Sequence, residues 1–180
     1  MQKEQNNFAF IDWANLRKGA EELGWSLDYA RFRIWLHERY GVTKAYLFLG
    51  FFPGKEDLYL RLSEAGFVPI HKEIAHGDRG NIKANCDADL VLGAVVDYYE
   101  HCFDKALIVS SDGDFASLVK FLKAKDVFYS LISPHEKCSF LLKKLNIPIV
   151  YLDTQRNLLQ NPPQKEKAPG GDETPQGPLS

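Results

Sequence analysis

Carboxylates recur in this chain at points where packing gives no reason for them. The apolar run FAFI ends in Asp12, with Trp13, Ala14 and Asn15 behind it. A second apolar run, ALIV, leads into Ser110, Ser111, Asp112, Gly113 and Asp114. A third segment reads Asn85-Cys86-Asp87-Ala88-Asp89 ahead of an apolar stripe. Three or four carboxylates within a few ångströms raise one another's pKa and cannot all stay ionised without a cation. Mg²⁺ or Mn²⁺ is the usual relief, because both take oxygen ligands in octahedral geometry and keep several waters. An ion so held polarises a phosphodiester and activates a water for in-line attack. Asn15 suits the positioning of a water or a substrate oxygen, and Ser110 and Ser111 suit holding the loop or contacting phosphate.

Helical geometry separates the two acids of the third segment. Residues i and i+2 lie about 200° apart around a helix, so Asp87 and Asp89 cannot both face one ion. Asp87 is four residues before Val91 on the inward stripe and is the better ligand candidate; Asp89 faces out or touches substrate at the rim. The competing account is plain N-capping, in which an Asp at a helix start only accepts backbone N–H bonds. Asp12 resists that account, since a carboxylate ending a buried strand is costly to desolvate without a partner.

The elements that must position these residues alternate in type. Strand-like runs occupy 8–12, 44–52, 67–74, 105–111, 128–133 and 147–152. Helical spacing of apolar residues marks 28–40, 55–65, 87–102, 114–124 and 137–145. Residues 75–85 read as a polar, glycine-containing loop. Strands alternating with helices imply an α/β domain with a mostly parallel sheet and helices on both faces. In such sheets the reactive site lies beyond the C-terminal strand ends, where strand order reverses. If the first strand and the 105–111 strand are neighbours there, Asp12 and Asp112 converge, and Asp87 or Asp114 can join them.

FIDWANL, KANCDADLVLGAVVDYY and LIVSSDGDF, in this order, resemble the NYN domain, a LabA-like branch of the PIN-like nuclease superfamily. The resemblance covers about residues 7–152. It implies a Rossmann-like three-layer α/β/α sandwich, an acidic divalent-metal site and hydrolysis of RNA phosphodiesters. Matched by motif, Asp12, Asp87, Asp112 and Asp114 become metal ligands and Asn15 their polar neighbour. Trp13 stands where many relatives have a small residue, which suits base stacking, and Asn85-Cys86 departs from the usual glycine-valine.

Composition narrows the partners. Lys+Arg is 22 and Asp+Glu 24, giving a formal net charge of −2, which excludes a histone-like polycation but not a local basic patch. Lys72, Arg79 and Lys83 precede Asp87, and Arg79 and Lys83 are expected to hold the phosphate backbone of single-stranded or structured RNA; a solvated loop is the alternative. Trp13, Trp25 and Tyr98 suit stacking on unpaired bases, with core packing as the alternative. Three cysteines without a CxxC pair disfavour a disulfide framework or a thiolate zinc site. No phosphate-binding glycine motif is present. No apolar run suits a signal peptide or membrane span, so a cytoplasmic location is expected, and a homodimer is compatible with it.

The expected organisation is a flexible N-terminus over 1–6, a domain over 7–155, and a disordered tail over 156–180. Residues 161–180 hold five of the nine prolines and three glycines. A metal-dependent ribonuclease is the leading expectation. A catalytically weak RNA-binding or regulatory module on the same fold is the alternative, although four uncompensated acids would repel a polyanion.

Overall fold

The structure, a computed structural model, describes residues 5–72, 75–76, 82–83 and 86–161, of which 75–76 and 82–83 are described by backbone alone. In chain order the strands are β1 (Asn7–Asp12), β2 (Val42–Gly50), β3 (Val68–Lys72), β4 (Ala75–His76), β5 (Ile82–Lys83), β6 (Ala106–Val109), β7 (Phe128–Ser133) and β8 (Ile149–Tyr151). The helices are α1 (Trp13–Glu22), α2 (Tyr29–Tyr40), α3 (Glu56–Glu64), α4 (Asp87–Tyr99), α5 (Ala116–Ala124), α6 (Phe140–Lys143) and α7 (Arg156–Leu159). Six strands form one sheet in the order β3-β2-β1-β6-β7-β8, and every pairing in it is parallel.

Alternation along the strands splits the core into two layers, because successive side chains point to opposite faces. Ala9, Ile11, Leu47, Leu107 and Val109 face one way, onto Leu16 of α1, Phe32 and Leu36 of α2, Leu62 of α3 and Leu159 of α7. Phe8, Phe10, Phe48, Ile108 and Leu131 face the other, onto Leu90 and Ala94 of α4, Leu118, Val119 and Leu122 of α5 and Leu142 of α6. The three-layer α/β/α sandwich follows, with strand order reversing between β1 and β6.

Residues 13–22, to which the sequence pattern assigns no element, form α1, and three readings of the sequence need correction. Within 75–85, read as loop, Ala75–His76 and Ile82–Lys83 pair as a short antiparallel ladder. The helix expected over 87–102 stops at Tyr99, and His101 takes a left-handed φ of 57°. The folded body also runs past 155: Leu159 is buried and Gln160 bridges to Leu27. The expected tail from 162 onward lies outside the described residues, as do residues 1–4 of the expected flexible N-terminus.

Candidate metal centre

β1 and β6 end side by side at the reversal, with Phe8 to Ile11 in register with Ala106 to Val109. The turns that follow therefore leave the sheet together. Asp12 closes β1 and caps α1, its Oδ1 accepting the Asn15 N–H at 3.1 Å. Asp112 follows β6 and caps the single 3-10 turn Gly113–Phe115, its Oδ1 accepting the Asp114 N–H at 3.0 Å. Capping thus describes one oxygen of each carboxylate and leaves the second to be explained.

Ser110 accounts for one of those second oxygens. Fully buried, its hydroxyl donates to Asp12 Oδ2 at 3.1 Å and accepts the Asp112 N–H at 3.1 Å. Asn15 ties the same two turns a second time. Its Oδ1 accepts both the Ser111 N–H at 2.9 Å and the Ser111 hydroxyl at 3.0 Å, which fixes the orientation of the amide. Both serines are thus engaged in aligning the turns. Asn15 keeps its Nδ2 donors without a partner among the described residues.

α4 supplies a third turn. Its cap residue, Cys86, makes no side-chain capping bond, and Asp87 is the first helical residue. Carboxylate oxygens of Asp87, Asp112 and Asp114 lie within 4.8 Å of one another. Asp12 stands outside that tightest group, yet it lines one cleft of about 430 Å³ together with Asn15, Asp87 and Asp112. Burial pushes the Asp12 carboxyl above its usual range, the Asn15 and Ser110 bonds lower it, and the charges of Asp87 and Asp112 raise it further. Asp89, half a turn round α4, pairs with Lys72 at 3.0 Å, so the two acids of this helix separate as their spacing requires.

The donor set fits a hard divalent cation. Three carboxylates converge on oxygen-only ligation, and the helix N-termini that carry Asp12 and Asp87 offer partial positive charge but no full cation. Burial, then Asp89, pushes the neighbouring Cys86 thiol up to about 11.

The expected substrate contacts are distributed differently. Trp13 lines the cleft, but it is only 7% exposed and its ring packs against Tyr29 at 4.8 Å. Trp25 is buried in the same layer, and Tyr98 packs against the opposite one. Arg79 lies outside the described residues, and so does the side chain of Lys83. Arg17 and Lys18 of α1, together with Phe48, Leu49, Gly50 and Phe52 around the end of β2, line the cleft without having been read from the sequence. The missed signal was the helix start at Asp12, which carries Arg17 and Lys18 one turn onward.

Comparison with known proteins agrees with this architecture. A crystal structure of a protein of unknown function from Vibrio parahaemolyticus matches with a TM-score of 0.73 at 21% identity, over 88% of this chain and 99% of that one. No curated protein sequence matches the chain. The NYN domain profile matches residues 8–144, a span that runs from β1 through the turns bearing Asp12, Asp87, Asp112 and Asp114 to the end of α6. The chain belongs to the NYN domain family.

Proposed function

We propose that this protein is a divalent-metal-dependent ribonuclease of the LabA-like branch. The observation that carries this reading is the convergence of Asp87, Asp112 and Asp114 within 4.8 Å at the strand-order reversal, beside a buried Asp12. Without a cation such a cluster repels both itself and a polyanion. Asp87, Asp112 and Asp114 would hold Mg²⁺ or Mn²⁺, and Asp12 completes the acidic wall behind them. The bound ion supplies Lewis-acid polarisation of a phosphodiester and a lowered pKa for an attacking water.

The chain's own residues do the rest. Asp12, held by the Asn15 N–H and the Ser110 hydroxyl on the wall of the same cleft, would serve as a further ligand to the ion or take the proton of the attacking water. Ser110 holds Asp12 and the Asp112 backbone at a fixed separation. The Asn15 amide offers Nδ2 to a substrate oxygen while its Oδ1 stays on Ser111. Incubation with a labelled RNA pool and Mg²⁺, Mn²⁺ or EDTA tests this. Cleavage that needs metal and is lost in Asp112→Asn supports it. Binding without cleavage under every condition would move the assignment to an RNA-binding regulatory module.

A further inference from the structure

The wall of the cleft formed by α1 and the end of β2 carries no acid and is built for another purpose. Phe52 lies two residues beyond β2 and is 40% exposed, yet its backbone is held. Its N–H donates to the Tyr59 hydroxyl at 2.8 Å, and that hydroxyl also lies 3.3 Å from the Gly50 carbonyl. The neighbouring Phe51 N–H is tied to the Lys72 carbonyl at 3.0 Å, and its ring packs on Tyr59 and His71. A pinned backbone lowers the ordering cost that binding at the exposed Phe52 ring would otherwise carry. Nothing in the core requires it there. Its partner in the wall is α1, whose Arg17 and Lys18 hold Glu21 and Glu22 in exposed pairs at 2.5 and 3.8 Å. Exposed pairs of this kind are weak and exchange readily for a phosphate.

The placement relative to the acids is set by the sheet. Asp12 is in register with Phe48 of β2, so β2 runs one strand's width, about 5 Å, to the side of Asp12, and Phe52, four residues beyond that register, lines the same cleft. The Asp112 turn lies on the far side of β1. An aromatic face, two cations and an acidic floor thus follow one another across a single cleft.

We infer that Phe52 and Arg17 form a nucleotide subsite flanking the metal centre. One unpaired base stacks on the Phe52 ring while the adjacent phosphate takes Arg17 in exchange for Glu21, with Lys18 adding charge at the rim. The subsite rests on the nuclease reading, and it demands a strand whose base is free of its complement, since a paired base cannot offer its face to a ring.

The test is binding of a fluorescent oligouridylate, which has no secondary structure of its own and carries phosphorothioate linkages to slow cleavage, measured by anisotropy with Mn²⁺ present so that the acids are neutralised. Phe52→Ala should weaken binding by about fivefold to a hundredfold, the range alanine substitution gives at base–aromatic stacks. Phe52→Tyr, which keeps the ring, should bind within about twofold of wild type on the same stacking argument. Arg17→Ala should lower the slope of log affinity against log salt by about 0.7, one single-strand phosphate contact. The same oligouridylate annealed to its complement should bind equally to wild type and Phe52→Ala. If wild type binds and cleaves but Phe52→Ala binds as tightly, the subsite is refuted and the nuclease reading stands. If wild type neither binds oligouridylate nor cleaves RNA with Mn²⁺, both fall together.

Discussion

Ser110→Ala removes one hydroxyl from a position with no solvent access, and the structure fixes what is lost. The donor bond to Asp12 Oδ2 disappears, and the Asp112 N–H loses its acceptor. A hydrogen bond to a charged group contributes about 1.5–3 kcal/mol, and a stranded buried N–H costs about 1–3 kcal/mol. The two share one oxygen and are not additive, so a net loss of about 3 kcal/mol is the working figure. For a domain of this size, each kcal/mol lowers the melting midpoint by about 2–4 °C, which places the variant about 6–12 °C below wild type. Calorimetric melts should be run on wild type, Ser110→Ala, Asp12→Ala and the double variant. The cycle should return a coupling of about 1–2 kcal/mol, because the residues are in direct contact. Mn²⁺ affinity should fall as well, since the turns bearing Asp12 and Asp112 lose their shared pin. A Ser110→Ala protein that melts within about 2 °C of wild type, with no coupling to Asp12, would refute this account of how the two turns are aligned.

Mn²⁺ at about 100 times its dissociation constant should stabilise wild type by about 2.7 kcal/mol in thermal melts, with Asp112→Asn losing that gain and Asp89→Asn keeping it, because Asp89 faces Lys72. Gly113→Ala should destabilise by about 1–3 kcal/mol, as in other overpacked sites: a Cβ there would stand 2.4 Å from Ser139 Oγ, which caps α6, and a Ser139→Gly background should recover part of the loss in the same melts. The Asp12 carboxyl titrates above its ordinary value in the fold, so the native state binds the extra proton. Metal-free wild type should therefore lose stability relative to Asp12→Asn as pH rises from about 4 through the raised value, read as a widening gap in urea midpoints. A chain ending at residue 155 should melt well below one ending at residue 161, since it gives up the burial of Leu159, about 1.5–3 kcal/mol, while the longer one should match full length.

The parts of this structure that were legible in sequence were those with periodicity. All six sheet strands fall in segments the sequence marks as strand-like, and Asp12 and Asp112 stood out because a charge at the end of a buried apolar run has no packing role. The separation of Asp87 from Asp89 followed from helix geometry alone. α1 was hidden because its inward face is small: Gly19 packs so close to Pro134 that a Cβ would come within 2.3 Å, and only Trp13, Leu16 and Ala20 mark the stripe. The β4–β5 ladder is too short to show alternation. Arg17, Lys18 and Phe52 come from two elements whose adjacency exists only once β1 and β2 pair. The serines' role was equally out of reach, since a serine whose hydroxyl bonds a carboxylate 98 positions away looks like any other serine.

That span also sets a schedule for synthesis. β1, β2 and β3 leave the ribosome first and can pair with one another, but β1 must wait for β6 before its second edge is covered. Asn15 and its partner Ser111 are 96 residues apart. At about 5–20 residues per second, the growing chain holds Asp12 for roughly 5–20 s before Asp112 and Asp114 exist. On the proposed nuclease reading this order has a consequence at the ribosome, where RNA is close by: a nascent chain shorter than 114 residues lacks part of the acid set, because the acids come from both sides of the reversal.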